Sequence, residues 1–159
     1  ISALTPDDVV DALTDPAVDA LQVACSLLDQ RLLRRGLLAQ AAASGREVHV
    51  RSTFLQGVAF LDLSTLPAHL EPARESLEAI DRWAASHAVP RHVAFLSFAA
   101  GLPVARLVLG CERLEQLEDN LGSLDRARAL TPELARLAAT LPALPDAVLD
   151  PSRWPPSPS

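Results

Sequence analysis

The sequence predicts an α/β fold with parallel strands, on the basis of two observations. Short, nearly continuous apolar runs alternate along the chain with longer segments of helical periodicity. Such runs are typical of strands covered by helices on both faces, and the segments between them have the length that a parallel crossover needs. The 159 residues, of which 49% are hydrophobic and 21% charged, are sufficient for about one globular domain.

The predicted strands are three short apolar runs, with helical segments between them. A right-handed crossover would pack each of these helices back against the sheet. A first strand is predicted to be almost absent, lying before Ile1, so that the chain contains about four β/α units. The other strands are predicted at 21–25, 48–50 and 106–109.

Capping residues and periodicity predict the helices. Thr5 is followed by a proline and two aspartates, which is typical of a helix start, and Thr131-Pro132-Glu133 repeats the pattern. A helix over 30–43 is predicted to end before Ser44-Gly45, where glycine can adopt the left-handed cap conformation. Two more helices are predicted, over 72–87 with one apolar stripe and over 93–100 with apolar residues on most faces.

Four β/α units make either half of a (β/α)8 barrel or a small open sheet, because a complete barrel needs about 250 residues. The edge strands of half a barrel are unpaired, which invites association. We therefore expect either a missing first half or a homodimer mate that closes the ring. The start at Ile1 and the lack of any methionine indicate an upstream part that has been removed or lies on another polypeptide.

The composition changes near residue 141. Six prolines between Pro142 and Pro158 exclude a regular helix or a central strand in this segment. We predict a half-barrel body over residues 1–141 and a proline-rich C-terminal tail over 142–159, which is mobile from Trp154 onward.

Charge and composition exclude several classes of function. The net charge is −6, and the fourteen basic residues, all arginine, form no basic stripe that could bind nucleic acid. No signal peptide or membrane-spanning run is present. Cys25 and Cys111 lie in apolar, strand-like surroundings without a Cys or His at metal-ligand spacing, which indicates a reduced cytoplasmic protein with no metal site. His49 alternates with two valines and is expected to point into a helix-packed layer.

Three segments carry more specific patterns, and together they resemble the aldo/keto reductase family in its bacterial predicted-oxidoreductase branch. They match that family's sixth strand and loop, its seventh strand and diphosphate loop, and its eighth strand and following helix. The resemblance covers about residues 1–124 and implies the C-terminal half of a TIM barrel. The segments are LQVACSLLDQRL (21–32), EVHVRSTFLQG (47–57) and LGCERLEQLEDNL (109–121).

The resemblance implies a nicotinamide cofactor, NADP or NAD, held by twelve residues. Ser2 and Gln22 match positions that hydrogen-bond the nicotinamide carboxamide, although Ala3 replaces the asparagine that the family often has. Arg51 replaces an aromatic ring and could stack on the nicotinamide or pair with the diphosphate. The implied diphosphate loop contains Ser52, Phe54, Gln56 and Gly57, and the residues implied to face adenosine are Gly110, Glu112, Gln116, Asp119 and Asn120.

Glu112 favours NADH over NADPH, because a carboxylate repels a 2′-phosphate and accepts a bond from a ribose hydroxyl. Arg113 is the only compensating cation. Structural alternatives remain for several of these residues. Arg51 could be a salt-bridged strand end, and Gln22 could be a satisfied buried amide. The segment 112–120 could be a capped surface helix whose Leu114, Leu117 and Leu121 lie in the core.

The family's catalytic tetrad of tyrosine, lysine, aspartate and histidine belongs to its first half, and this chain contains no tyrosine and no lysine. The resemblance therefore implies part of an NAD(P)H-dependent oxidoreductase that reduces small aldehydes or ketones to alcohols, with no catalytic residue in this chain. The isolated chain is expected to be inactive. The alternative is a non-catalytic half-barrel that self-associates or binds a partner and could retain dinucleotide binding. A third interpretation is that only the fold is shared.

Overall fold

The computed structural model describes residues 1–156, and its central element is a parallel sheet of four strands in chain order. The register places Gln22 between Ser2 and His49, and His49 beside Arg106. The predicted α/β fold, with about four β/α units and a nearly absent first strand, is confirmed. The strands are β1 (Ser2–Ala3), β2 (Ala20–Ala24), β3 (Glu47–Arg51) and β4 (Arg106–Leu107).

Seven helices connect or follow the strands in residues 1–156, together with short 3₁₀ turns. The first begins as predicted, because Thr5 Oγ1 accepts the N–H of Asp8 at 3.2 Å and the Asp8 carboxylate accepts the N–H of Thr5 at 2.7 Å. The helices are α1 (Pro6–Thr14), α2 (Arg31–Arg34), α3 (Leu37–Ala43), α4 (Arg74–Ser86), α5 (Arg91–Ala100), α6 (Leu114–Thr140) and α7 (Asp146–Leu149).

The two faces of the sheet differ in burial. Gln22, His49 and Arg51 share one face and are only half-buried. The alternate residues of β2 and β3 point to the opposite face, against which α1 and α3 pack. The prediction that helices cover both faces is therefore wrong for the described residues. The residues of the covered face, each at most 2% exposed, are Leu21, Val23, Val48 and Val50.

The difference between the two faces of the sheet overturns the predicted orientation of the His49 side chain. Its ring lies on the open face, where Nε2 is 2.9 Å from Glu47 Oε1, and not in a helix-packed layer. Strand alternation explains the error, since flanking valines that point to the helices force His49 to the other face.

β4 is shorter than predicted and ends at Leu107 rather than Leu109. Its neighbour β3 ends at Arg51, and Ser52 has a φ of 61°, outside the range of strands. The last bond between these two chain segments runs from the Val108 N–H to the Val50 carbonyl at 2.7 Å.

The segment predicted as one helix over 30–43 contains two. Gly36 has a φ of 69°, which interrupts the helix between α2 and α3. Arg35 and Gly36 donate to the last carbonyls of α2, as at an ordinary helix end.

α6 is one continuous helix of 27 residues, although the Thr131-Pro132 pattern predicts a new start inside it. Pro132 cannot donate a backbone hydrogen bond. The helix continues because Ala127 and Leu134, on either side, are fully buried. Thr131 Oγ1 also donates to the Ser97 carbonyl of α5 at 3.0 Å. Tertiary packing overrides the local signal, and the predicted helix start is wrong.

The proline-rich segment after residue 141 packs against the rest of the chain, and it contains the one-turn helix α7 between Pro145 and Pro151, so the prediction that it has no regular helix is wrong there. Leu144, Val148 and Leu149 are buried in the main hydrophobic cluster. Trp154 is half-buried, donates from Nε1 to the Val148 carbonyl at 3.1 Å and lies 5.2 Å from the His69 ring. The mobile tail predicted from Trp154 is therefore wrong at Trp154 itself, and residues 157–159 lie outside the described residues.

Within residues 1–156, every helix lacks either the length or the apolar character that crossing a bilayer requires.

Candidate functional site

The carboxyl ends of the four strands lie at one edge of the sheet, and the predicted site residues follow these ends. β1 and β2 bring the first two together, because Ser2 and Gln22 are register partners on the open face. The Gln22 N–H donates to the Ile1 carbonyl at 2.8 Å, which fixes this register. A hydroxyl and an amide are thus side by side and could both bond one carboxamide.

Arg51 is the last residue of β3 and lies one pleat nearer the carboxyl edge than Gln22. It is paired in register with Ala24, and its side chain is half-buried. Nη1 donates to Ser52 Oγ at 3.1 Å, so the guanidinium lies at the start of the loop that follows the strand. The salt-bridge alternative is not realised, because no carboxylate within residues 1–156 pairs with Arg51.

The loop after β3 has an unusual backbone. Ser52, Leu55, Gln56 and Gly57 all have left-handed φ values, of 61°, 44°, 52° and 88°. For the three non-glycine residues this conformation costs on the order of 1–3 kcal/mol each, and such residues cluster at ligand sites. A backbone of this kind turns consecutive N–H groups toward one side, which favours anions.

Several N–H groups of this loop are free. The internal bonds of the loop run from the Leu55 N–H to the Ser52 carbonyl at 2.9 Å and from the Val58 N–H to the Leu55 carbonyl at 3.1 Å. Beyond Ser52, four amides have no acceptor among residues 1–156, and they belong to Thr53, Phe54, Gln56 and Gly57. We call residues 51–57, with these four amides and the Arg51 guanidinium, the amide loop.

Hydrophobic contacts hold the amide loop in place. Leu55 is 2% exposed and belongs to the main core. Phe54 contacts the ring of Phe60 edge-on at 5.0 Å and packs in the cluster that contains Leu109. The loop after β3 and the chain after β4 are therefore joined by packing at the same edge of the sheet.

Side chains of α6 form hydrogen bonds to the segment between β4 and α6. Gln116 Oε1 accepts the N–H of Glu112 at 2.7 Å and that of Arg113 at 3.3 Å, which caps the first turn of α6. Asn120 is 7% exposed, and its amide donates to Cys111 Sγ at 3.4 Å. Gln116 and Asn120, which the resemblance places toward adenosine, both hold the segment itself. We call residues 110–120 the capped segment.

Of the residues that the resemblance places toward adenosine, Gly110, Glu112 and Asp119 are exposed to solvent. A Cβ at Gly110 would meet no atom within 4 Å, so space for a ligand is present there. The nearest cation in sequence, Arg113, is also exposed.

The leucines of this helix contradict the structural alternative for segment 112–120. They are not core residues, since α6 presents them to solvent in its first two turns. The exposed fractions are 65% for Leu114, 44% for Leu117 and 61% for Leu121.

His92 joins the two parts of the site and was not among the predicted residues. Its ring stacks on Phe60 at 5.4 Å, and it lies in the first turn of α5. Burial lowers the pKa of His92, and the nearby Asp119 carboxylate opposes this shift. In the sequence, only the position of His92 just after Pro90 is informative. It predicts a helix start but does not indicate which residues His92 contacts.

The two cysteines differ more than the sequence indicates. Cys25 is fully buried, and burial, with a smaller effect of Asp29, raises its pKa to about 12. Cys111 is exposed, so its predicted strand-like surroundings are wrong, because β4 has already ended. No cluster of three or more potential metal ligands occurs in residues 1–156.

Comparison with known proteins finds a likeness in fold but none in sequence. No family model and no curated protein matches the chain in sequence. Among solved structures, the holo form of the aldo-keto reductase AKR11C1 from Bacillus halodurans aligns with a TM-score of 0.63 at 18% identity, over 93% of this chain and 52% of that chain.

The fold is that of half an aldo/keto reductase barrel. The predicted half-barrel and the predicted relationship to this family's fold are confirmed. The chain spans about half of the Bacillus halodurans reductase, covering 52% of its length. The thermostable aldo-keto reductase Tm1743, in complex with the inhibitor epalrestat, shares 19% identity over 76% of this chain and 41% of that chain, with a TM-score of 0.48.

Proposed function

We propose that this chain is the cofactor-binding half of an NAD(P)H-dependent aldo/keto reductase, whose complete form reduces aldehydes or ketones to alcohols. The amide loop is the observation that carries the proposal. The free N–H groups of Thr53, Phe54, Gln56 and Gly57, in the loop that begins at Arg51, would bind a doubly charged diphosphate, because hydrogen bonds to an ionised acceptor are stronger than neutral ones. The half-barrel likeness to a reductase in its holo form supports the same function.

The two ends of a dinucleotide have matching groups on either side of the amide loop. Ser2 and Gln22 are adjacent on the open face and would hydrogen-bond the nicotinamide carboxamide. The open space at Gly110, with the exposed Glu112 and Asp119, would receive the adenosine end. Gln116 and Asn120 act in this proposal by holding the capped segment in place.

The proposed cofactor supplies a hydride to the carbonyl carbon of the substrate. This chain contributes binding and orientation: Arg51 neutralises the diphosphate, and the carboxamide contacts fix which face of the nicotinamide is presented. With no tyrosine and no lysine, the chain lacks the usual general acid of this chemistry. The same absence favours the second candidate, a non-catalytic half-barrel that binds a dinucleotide or a partner.

Titration calorimetry with NADPH, NADH, ADP-ribose and nicotinamide mononucleotide tests the proposal on the 159-residue chain. We expect both dinucleotides to bind, and ADP-ribose to keep most of their affinity because it retains the complete diphosphate. Binding of none of the four compounds would overturn the proposal. A chain that binds the dinucleotides and also reduces aldehydes by itself would contradict the assignment of catalysis to the rest of the protein.

Glu112 is proposed to favour NADH. Replacing Glu112 by Ser removes a charge that would face the 2′-phosphate, and a unit charge about 4 Å away in water is worth about 1 kcal/mol. The ratio of NADPH to NADH affinity should therefore rise about fivefold. Glu115→Ser removes an exposed carboxylate from the first turn of α6, three residues further on, and is the matched control. An unchanged ratio in Glu112→Ser would refute the preference while leaving dinucleotide binding intact.

A further inference from the structure

The large apolar side chains that remain exposed are concentrated at the two ends of the sheet. Seven of the nine such residues among 1–156 lie there. The first edge, in and beside β1 and α1, carries Ile1 (66% exposed), Leu4 (70%) and Val10 (38%). The last edge, after β4 and along α6, carries Val108 (41%), Leu114 (65%), Leu117 (44%) and Leu121 (61%).

Each edge has the shape of an incomplete β/α layer. β1 and β4 are the outer strands, so one side of each lacks a neighbouring strand within residues 1–156. Leu114, Leu117 and Leu121 follow one another at spacings of three and four residues, so they form a stripe on one face of α6. A strand added to β4 with its following helix on this stripe would cover the whole last edge.

The same edges are acidic. Residues 1–15 contain four aspartates and no basic side chain, and residues 112–121 contain four acidic residues and one arginine. The two other arginines at these edges, Arg35 and Arg106, are each paired with a carboxylate, so the net charge of both edges stays negative. Glu118 lies one helical turn from both Leu114 and Leu121, and Asp11 follows Val10 directly. If a second copy closed the ring, its first edge would oppose the last edge of this chain, and like charges facing each other across an interface cost binding energy.

We propose that the two edges dock a different β/α half-barrel, whose edge helices carry arginine or lysine beside apolar residues. The shared acidic charge prevents the chain from closing a ring with its own copy. The inference rests on the proposed function, in which another half completes the barrel, and it adds the chemistry by which that half is recognised.

A basic-edged copy of the chain serves as the probe. It carries Asp11→Arg and Thr14→Arg on α1, and Glu115→Arg and Glu118→Arg on α6; all four positions are exposed and none belongs to the proposed cofactor site. Sedimentation velocity at about 20 mM and about 500 mM salt compares the two chains alone and mixed, because the higher concentration screens exposed charges. Circular dichroism checks that each chain is folded.

We expect each chain alone to sediment at its 17.0 kDa monomer mass. The mixture should form a one-to-one complex at low salt, weakened at least tenfold at high salt. Leu117→Asp in the acidic chain should abolish the complex, whereas Leu33→Asp, at an apolar residue 38% exposed outside both edges, should not.

Two results would overturn the inference. A dimer of the unmodified chain at low salt would make a second copy the occupant, and a mixture that stays monomeric would mean that the edges are not docking surfaces. Neither result depends on nicotinamide cofactors, so a failure here is distinguishable from a failure of the proposed function in calorimetry.

Discussion

The amide loop and the capped segment lie side by side at one edge of the sheet, but they differ in whether a side chain accepts any of their backbone N–H groups. In the amide loop, four N–H groups have no acceptor among residues 1–156. In the capped segment, Gln116 accepts the two N–H groups that precede α6, and Asn120 holds Cys111. One region has unused donors in a loop that begins at a guanidinium, while in the other region a side chain already accepts two of the donors.

This difference indicates a division of roles. An anion gains most where donors are already oriented and unpaired, because no existing hydrogen bond must break. The amide loop should therefore supply most of the affinity for the dinucleotide. The capped segment should instead supply stability and discrimination between cofactors, through the exposed Glu112 and Asp119.

The largest expected effect is on Arg51. Arg51→Gln removes the cation of the amide loop, and a hydrogen bond to a charged group is worth about 1.5–3 kcal/mol. ADP-ribose affinity measured by calorimetry should fall about 10- to 100-fold. Arg106→Gln is the control, since Arg106 shares the sheet face but is 68% exposed and paired with Glu47 at 2.7 Å. Equal losses in both variants would indicate a general charge effect and contradict a specific site.

Gly57 of the amide loop and Gly110 of the capped segment allow the stability of the two regions to be compared. Neither Gly57 nor Gly110 has an atom within 4 Å of a Cβ position, so only backbone conformation distinguishes them. Gly57 has a φ of 88°, so Gly57→Ala should cost about 1–2 kcal/mol of unfolding free energy. Gly110→Ala should change it by less than about 0.5 kcal/mol. Urea denaturation measures both, and a costly Gly110→Ala would show that the capped segment is also conformationally strained.

Removing the Gln116 side chain tests the role of the capped segment. Gln116→Ala leaves the N–H groups of Glu112 and Arg113 without their acceptor, which should cost about 1 kcal/mol in thermal or urea unfolding. ADP-ribose affinity should change less than in Arg51→Gln. Gln40→Ala, at an exposed position of α3, is the control and should not destabilise. A loss of binding as large as that of Arg51→Gln would contradict the division of roles.

The smallest effect concerns His92, which stacks on Phe60 beside the amide loop and is influenced by the Asp119 carboxylate of the capped segment. Because the folded-state pKa of His92 is lowered, the unfolded chain binds its proton first as the pH falls. Its contribution to stability is therefore complete above about pH 6.5 and decreases as the pH falls through the folded-state value. His92→Gln should flatten this part of the pH–stability curve. Asp119→Asn should steepen it, because that carboxylate opposes the shift; a flatter curve in Asp119→Asn would show that the two side chains do not interact.

The sequence predicted the covered face of the sheet better than the open one. Alternation of Leu21, Val23, Val48 and Val50 is enough to define a buried face, and the helix start at Thr5 depends only on local capping. The open face was not predictable, because the small and amphipathic residues between these positions are compatible with burial or exposure. Packing also explains why α6 continues through Pro132. Buried residues on both sides of it maintain a helix that the local sequence pattern would interrupt.

The residues of the candidate site could be named from the sequence, but the backbone geometry around them could not. The resemblance to the aldo/keto reductase family placed Arg51, Ser52 and Gly57 at one strand end and loop, yet the free amides of that loop depend on left-handed φ values at Leu55 and Gln56, which residue type does not indicate. The contact of His92 with Phe60 joins residues 32 positions apart and follows only from the arrangement of α5 against the loop.

The amides of Thr53, Phe54, Gln56 and Gly57 give the most direct test of the central claim. Two-dimensional ¹H–¹⁵N nuclear magnetic resonance of the 159-residue chain, titrated with ADP-ribose, reports on each of them separately. The account predicts that these four signals shift together and saturate at one dissociation constant, while the already bonded amides of Glu112 and Arg113 move less. Shifts confined to the capped segment, or none at all, would contradict it.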